Sequence, residues 1–294
     1  MKIVFLLALF FGLAVLAESA PSEIRLGFAP TIESTLEMSA TKKIAEALSK
    51  QMGISVKTIV ARNQGDLHDH LLQKKVDFAF LTAVGYVENE KKIGLKVLLK
   101  KIWSEPYYFS VILADEKSKI KKISDLKGKR IAFVDKASGS GFLYPQVFLK
   151  KSGIEEKDFK EVLFSGGHLE SVRLLEGKKV DAIAVFSDDV DGKKTAWHKF
   201  RKDSALGVRK VWSSEPIPND PLCVRQDFYD EHPKLTHTLM FALIDVIEGL
   251  QKEPDVKSLM GSNSFQPATS RQYDAVREML QILGSVSDTK NLKQ

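Results

Sequence analysis

Ser138-Gly139-Ser140-Gly141 is the stretch of this chain best suited to chemistry. It follows the apolar run Arg130-Ile131-Ala132-Phe133-Val134 and the segment Asp135-Lys136-Ala137. It precedes Phe142-Leu143-Tyr144-Pro145-Gln146, so it reads as the turn between a buried strand and the start of a helix. The first amides of a helix have no intrahelical acceptor and stand at the positive end of its dipole. Glycine lets such a backbone approach a guest closely, and serine hydroxyls add donors. The pattern suits a phosphate- or sulfate-like anion held without a lysine. The same residues also make an ordinary capped turn that binds nothing.

His168 follows Gly166-Gly167 at the start of a helix over Leu169–Glu176, where it could cap, pack or donate to a ligand. His68 and His70 lie two apart on an amphipathic segment and so on different helical faces, which makes no metal pair. No metal and no cofactor are expected. Neither Ser138 nor Ser140 lies in a Gly-x-Ser-x-Gly elbow, and no order of nucleophile, acid and base is evident. No catalytic residue is therefore assigned, and the chain is not expected to be an enzyme. Cys223 is the only cysteine, so no intrachain disulfide can form, and it reads as a small buried side chain.

These residues are carried by a chain that starts like an exported one. Lys2 precedes an almost wholly apolar run from Ile3 to Leu16, and Val15-Leu16-Ala17 offers small residues for a cut before Glu18. The run is short for a membrane span, so residues 1–17 are expected to be a cleaved signal peptide. No cysteine lies near the cut, so no lipoprotein is expected, and the mature protein should be soluble and extracytoplasmic. The formal charge of +6 comes from interspersed lysines and acids without an arginine-rich tract. No nucleic-acid partner is expected, and mild basicity suits a small anionic ligand.

Strand and helix alternate along the chain, which points to α/β architecture. Ile24–Phe28 reads as a strand ending in Ala29-Pro30-Thr31. A helix from about Glu33 to Met52 follows, with Ile44, Leu48 and Met52 on one face and Gly53 as its stop. Val76–Leu81 is a continuous apolar strand of the kind covered on both faces. Leu71-Leu72-Gln73-Lys74-Lys75-Val76-Asp77-Phe78-Ala79 is echoed by Leu174-Leu175-Glu176-Gly177-Lys178-Lys179-Val180-Asp181-Ala182. The echo suggests two lobes of the same βαβ logic. One lobe is expected over 18–113 and 213–294 and the other over 114–212. The proline-rich segment Pro216-Ile217-Pro218-Asn219-Asp220-Pro221 is read as an extended return connector, and the cleft between the lobes as the ligand site. Leu235, Leu239, Leu243 and Ile247 mark one later helix, and Tyr273, Val276, Leu280 and Leu283 another.

Four features together carry a family resemblance: Asp135-x-x-Ser138-x-Ser140-Gly141, Gly166-Gly167-His168, the strand opening Val180-Asp181, and the proline-rich connector. The chain resembles the phosphonate/phosphate/phosphite-binding periplasmic proteins of ABC transporters, a branch of the two-lobed type II periplasmic binding fold. The resemblance implies an α/β fold with a hinge and an inter-lobe cleft, a monomer, and an ABC permease as membrane partner. It implies that Ser138, Gly139, Ser140 and the Gly141 amide hold the oxyanion with help from Tyr86 and His168. It further implies that Asp188, or the adjacent Asp189, and Asp220 face the far end of the ligand. Gly139 stands where the family usually has threonine, and Arg62-Asn63-Gln64-Gly65 lacks the tyrosine many relatives place near Gln64.

The function so implied is capture of a phosphonate, phosphite or phosphate-type oxyanion for delivery to a permease. A module that shows its closed form to a membrane sensor would share these residues, and a secreted hydrolase using Ser138 or Ser140 is the remaining alternative.

Overall fold

The computed structural model describes residues 21–29, 34–201, 206–261 and 264–291. The expected signal peptide, the strand end at Pro30-Thr31 and the helix start at Glu33 lie outside the described residues. The first elements are β1 (Glu23–Phe28), α1 (Ser34–Met52), β2 (Ser55–Val60), α2 (Gln64–Leu72), β3 (Phe78–Phe80), α3 (Ala83–Asn89) and β4 (Leu95–Ile102). Next come β5 (Tyr107–Asp115), β6 (Arg130–Phe133), α4 (Tyr144–Lys151), β7 (Glu161–Phe164) and α5 (His168–Glu176). They are followed by β8 (Ala182–Ser187), α6 (Ala196–Phe200), β9 (Val208–Ser213) and β10 (Ile217–Pro218). The last group is β11 (Pro221–Arg225), α7 (Gln226–Glu231), α8 (Pro233–Gly249), α9 (Pro254–Met260), β12 (Ser264–Pro267) and α10 (Asp274–Asn291).

The strands form two sheets, one for each lobe. The first has the order β12-β4-β11-β3-β1-β2 and the second β10-β5-β8-β6-β7, with β9 also paired to β5. At one side of each, three strands run parallel: β3-β1-β2 in the first and β8-β6-β7 in the second. Their apolar runs are covered on both faces, as such strands require. In the first lobe, Ile44 and Leu48 of α1 and Leu239, Leu243 and Ile247 of α8 bury one face. Leu67 and Leu71 of α2 pack against the other face with Val276 of α10 and its neighbour Tyr273. Gly53, at φ +67°, supplies the left-handed residue after α1. Cys223 is fully buried in β11.

The sequence echo is a structural one. Lys74 (φ 57°) and Lys178 (φ 55°) make the same left-handed turn after α2 and α5. Three residues later Asp77 and Asp181 each clamp an arginine on the neighbouring parallel strand. Asp77 accepts from the Arg25 amide (2.9 Å), Nε (2.9 Å) and Nη2 (2.7 Å). Asp181 accepts from the Arg130 amide (2.9 Å), Nε (3.1 Å) and Nη2 (2.7 Å). Each aspartate thus fixes the register of a central strand by a bidentate charge-assisted pair.

The crossings between sheets differ from the expected positions. The whole of β5 belongs to the second sheet, so the chain leaves the first sheet before Tyr107 rather than after Leu113. It returns between β10 and β11, later than residue 213. Buried Asn219 ties the two crossings together, donating from Nδ2 to the carbonyls of Lys101 (3.0 Å) and Glu105 (2.8 Å). Its own carbonyl accepts from Tyr273 Oη (2.9 Å).

The two clamps differ in burial, and that sets an expected order of stabilities. The Asp77 side chain is 0% exposed and also takes Arg225 Nη1 at 2.9 Å, whereas that of Asp181 is 31% exposed. Asp77→Asn leaves buried Arg225 under-compensated and should cost about 3–5 kcal/mol. Asp181→Asn should cost about 1 kcal/mol. Urea denaturation midpoints check the order, and equal losses would show that burial does not separate the two.

Candidate functional site

The serine loop is built from its own backbone outward. Beyond β6, Asp135 Oδ1 accepts the Ala137 amide (2.8 Å) and the Asp135 carbonyl accepts that of Ser138 (3.2 Å). Ser138 caps the next turn, its Oγ accepting the Gly141 amide at 3.1 Å. The Ser138 carbonyl accepts from Phe142 (3.1 Å) and Leu143 (2.9 Å), giving a π-helical turn over Gly139–Leu143 that runs into α4. The Gly141 carbonyl accepts the Val134 amide (3.1 Å), and Ser110 Oγ donates to the Ser140 carbonyl (2.7 Å). Phe142 packs edge-on against Phe133 and Phe164. The loop is therefore held from both sides, and the Gly139 and Ser140 amides, first in the turn, have no acceptor within it.

Gly139 faces the other lobe. A Cβ there would lie 3.4 Å from Tyr108 Oη and 3.7 Å from Val84 Cγ2 of α3. Tyr108 thus stands at the Gly139–Ser140 end of the loop, and burial pushes its phenol well up. Burial likewise pushes up Tyr144, whose Oη has no hydrogen-bond partner among the described residues. Asp220 stands on the return crossing beside α3. Burial raises its carboxyl, opposed by the Lys101 charge and by the Ala83 amide. Lys101 is correspondingly lowered by burial and steadied by Asp220.

A second group lies at the ends of β7 and β8, strands that flank β6 on either side. His168 opens α5, its ring edge-on to Phe186 at 5.0 Å and its Nδ1 buried without a partner among the described residues. Burial, helped by the Lys199 charge, lowers it to about 4, so the imidazole is neutral near pH 7. Burial raises Asp188, while Lys199 pulls it down and Asp189 pushes it up. The Asp189 carboxylate is engaged within its own loop, accepting from Ser187 Oγ (3.2 Å) and the amides of Lys193 (2.8 Å) and Lys194 (3.3 Å). Burial would raise Asp189, but these bonds hold it low. Of the two neighbours, Asp188 is therefore the one not committed to that staple.

The structure thus gathers Ser138, Gly139, Ser140, His168 and Asp188 beyond the C-terminal ends of the parallel strands β8-β6-β7, with Asp220 on the crossing beside α3. Open α/β sheets bind ligands at this edge. Two expected residues are placed otherwise. The Gly141 amide is taken by Ser138 Oγ. Tyr86 is buried edge-on to Tyr273 (5.1 Å), and its hydroxyl lies 3.1 Å from Ser270 Oγ, beside the Glu90–Arg277 ion pair. Tyr108 is the tyrosine brought to the serine loop. Sequence reasoning missed it, along with Tyr144, Lys101 and Lys199. The available signal was the i, i+2 spacing of Tyr108 and Ser110, which puts both on one face of β5.

A family model for the ABC transporter, phosphonate, periplasmic substrate-binding protein matches residues 26–273. The chain belongs to that family. The phosphate-import protein PhnD of Mycolicibacterium smegmatis is 27% identical over 288 residues, covering 92% of this chain and 88% of that protein. The phosphonates-binding periplasmic protein of Escherichia coli is 24% identical over 242 residues, or 79% of this chain and 68% of that one. Among solved structures, PhnD1 from Prochlorococcus marinus in complex with methylphosphonate superposes with a TM-score of 0.68. It has 21% identity and covers 90% of this chain and 99% of that chain, which supports the two-lobed type II fold. The family is one of transport substrate-binding proteins rather than of enzymes. No helix among the described residues is long and apolar enough to cross a membrane.

Steric and ionic constraints at this family site give two expected outcomes. A Cβ on Gly141 would lie 2.5 Å from Val134 Cβ and 2.7 Å from Ser138 Oγ, whereas one on Gly139 meets nothing closer than 3.4 Å. Gly141→Ala should destabilise the fold by about 1–3 kcal/mol and Gly139→Ala hardly at all, as read by thermal denaturation. His168, lowered from 6.5 to about 4, takes up its proton more readily in the unfolded chain. Stability is then complete above about pH 6.5 and falls as pH drops toward 4. His168→Gln should remove about 2–3 kcal/mol of that acid loss by pH 4. Stability–pH curves that coincide for both proteins would refute it.

Proposed function

We propose that this protein captures a phosphonate, phosphite or phosphate-type oxyanion in the cleft and delivers it, as a monomer, to an ABC permease. The observation that carries the proposal is the clamped turn at Ser138–Leu143, whose first two amides have no acceptor within the turn and whose Gly139 faces Val84 of α3 in the other lobe. In this reading Ser138, Gly139 and Ser140 grip the anion, with Tyr108 and Tyr144 as further hydroxyl donors and neutral His168 donating through a ring nitrogen. Tyr86 acts at one remove by tying α3 to the turn Ser270–Tyr273 that precedes α10. The two crossings between the sheets serve as the hinge, and the free energy of binding biases the open–closed equilibrium toward closure. Residues 1–17 act as a signal peptide cleaved before Glu18, and the working compartment is the periplasm. The phosphorus ligands named for the relatives agree with this chemistry.

Isothermal titration with phosphite, phosphate, methylphosphonate and sulfate, with mass spectrometry of the recovered ligand, tests the proposal. A phosphorus oxyanion should bind and be returned intact. Ser140→Ala should weaken that binding by about 1.5–3 kcal/mol, on the order of ten- to a hundredfold, without unfolding the protein. Failure of every phosphorus oxyanion to bind, or turnover of the ligand, would overturn it.

A further inference from the structure

Pro145 leaves the Ser140 carbonyl without a helical donor. In the π-helical turn the Leu143 amide donates to the Ser138 carbonyl and the Tyr144 amide to that of Gly139. The next donor in this pattern would be residue 145, which is proline and has no N–H. Ser110 of β5 supplies the missing donor, its Oγ lying 2.7 Å from the Ser140 carbonyl oxygen. Ser110 is 0% exposed and Ser140 4% exposed, so the pair is closed off from bulk water. The same peptide unit is held at its other end, where the Gly141 amide donates to Ser138 Oγ at 3.1 Å. Ser110 is itself fixed by the segment that leads back toward the first lobe. Its amide donates to Ser214 Oγ (2.9 Å), and its carbonyl accepts the Ser214 amide (2.8 Å). Ser214 Oγ in turn donates to the Glu215 carbonyl (2.6 Å).

We propose, resting on the oxyanion reading above, that Ser110 is a positioning residue of the anion site, acting through the Ser140–Gly141 peptide. The Ser110 hydroxyl draws the Ser140 oxygen toward β5, and the Ser138 cap holds the Gly141 N–H at the opposite end of the same peptide plane. The plane is thus set from both ends, and with it the direction of the Gly139 and Ser140 amides that head the turn. A buried carbonyl without a donor is costly, so loss of the Ser110 hydroxyl drives the Ser140 carbonyl to rotate toward another one. That rotation tilts the two amides and can turn the negative end of a carbonyl dipole toward the guest. Tyr108, two residues earlier on the same face of β5, stands at the Gly139 end of the loop, so one strand backs both residues. Through Ser214 the loop and the returning chain share one hydrogen-bonded anchor.

Isothermal titration with methylphosphonate and phosphite, thermal denaturation and amide NMR separate positioning from plain support of the fold. Ser110→Ala should bind each ligand about tenfold more weakly than wild type. The Gly139 and Ser140 amide protons, moved downfield by saturating ligand in wild type, should move less in this variant. Pro145→Ala restores an N–H five residues after Ser140. Alone it should bind as wild type does, and combined with Ser110→Ala it should recover most of the lost affinity. If Ser110 only supports the fold, Ser110→Ala melts earlier but keeps the wild-type affinity and both amide shifts. That result would overturn the inference and leave the oxyanion reading standing, as would a double variant that binds no tighter than Ser110→Ala. Should Ser110→Ala not fold, Ser110→Cys, a weaker donor of similar size, takes its place, and an unchanged affinity there has the same consequence. If wild type binds none of methylphosphonate, phosphite and phosphate, the oxyanion reading itself falls and the inference goes with it.

Discussion

Gly141 has no room for a side chain. Its Cα lies against Val134, its carbonyl takes the Val134 amide, and its own amide is closed by Ser138 Oγ. These three contacts force the chain to turn back over the end of β6 before a helix can begin. The turn is wound as a π-helix, and its first two amides are left outside the internal bonding pattern. Everything assigned to the anion depends on that backbone being rigid before a guest arrives. A preorganised donor set spends little of its binding free energy on ordering itself.

The loop is only as well placed as the strand beneath it. β6 is fixed by the Arg130–Asp181 clamp, and its counterpart β1 by Arg25–Asp77. The device sits at the start of the parallel strands in both lobes, so their C-terminal ends project into the cleft from each side. The serine loop after β6, the His168 turn after β7 and the Asp188 turn after β8 thereby converge without a direct bond between them. Asn219 then couples the two crossings, so that motion of one lobe relative to the other is constrained to the segments on either side of that staple.

Much of this was legible in the residues. Alternation of apolar runs with helical periodicity marks the α/β layers, because burial on both faces leaves a local signature. The repeated Lys-Lys-Val-Asp motif was legible because the left-handed turn and the clamp need those residues three apart. The crossing before Tyr107 was not, since the run Tyr107–Ala114 is equally apolar whichever sheet receives it. The choice between Tyr86 and Tyr108 is decided by partners distant in sequence: Ser270 for one, and Gly139 and Ser140 for the other. Lys101 and Lys199 look like any other lysines of a basic chain until the fold sets them over the Phe80 and Phe186 rings. Asp188 and Asp189 were indistinguishable for the same reason, because only the amides of Lys193 and Lys194 show which carboxylate the loop consumes.

The electrostatics of the cleft then follow from what is absent around the loop as well as what is present. Arginine would bind a phosphoryl group bidentately and hold any phosphate ester. Here the loop offers neutral amides and hydroxyls, and Lys101 and Lys199 lie over the Phe80 and Phe186 rings. Neutral donors in a desolvated site discriminate by geometry and proton count, since each oxygen of the guest must meet a donor or supply a proton of its own. In the reading proposed above, Asp220, whose carboxyl burial raises, would meet such a proton. In the reading proposed above, recognition follows the protonation pattern of a tetrahedral anion more than its total charge.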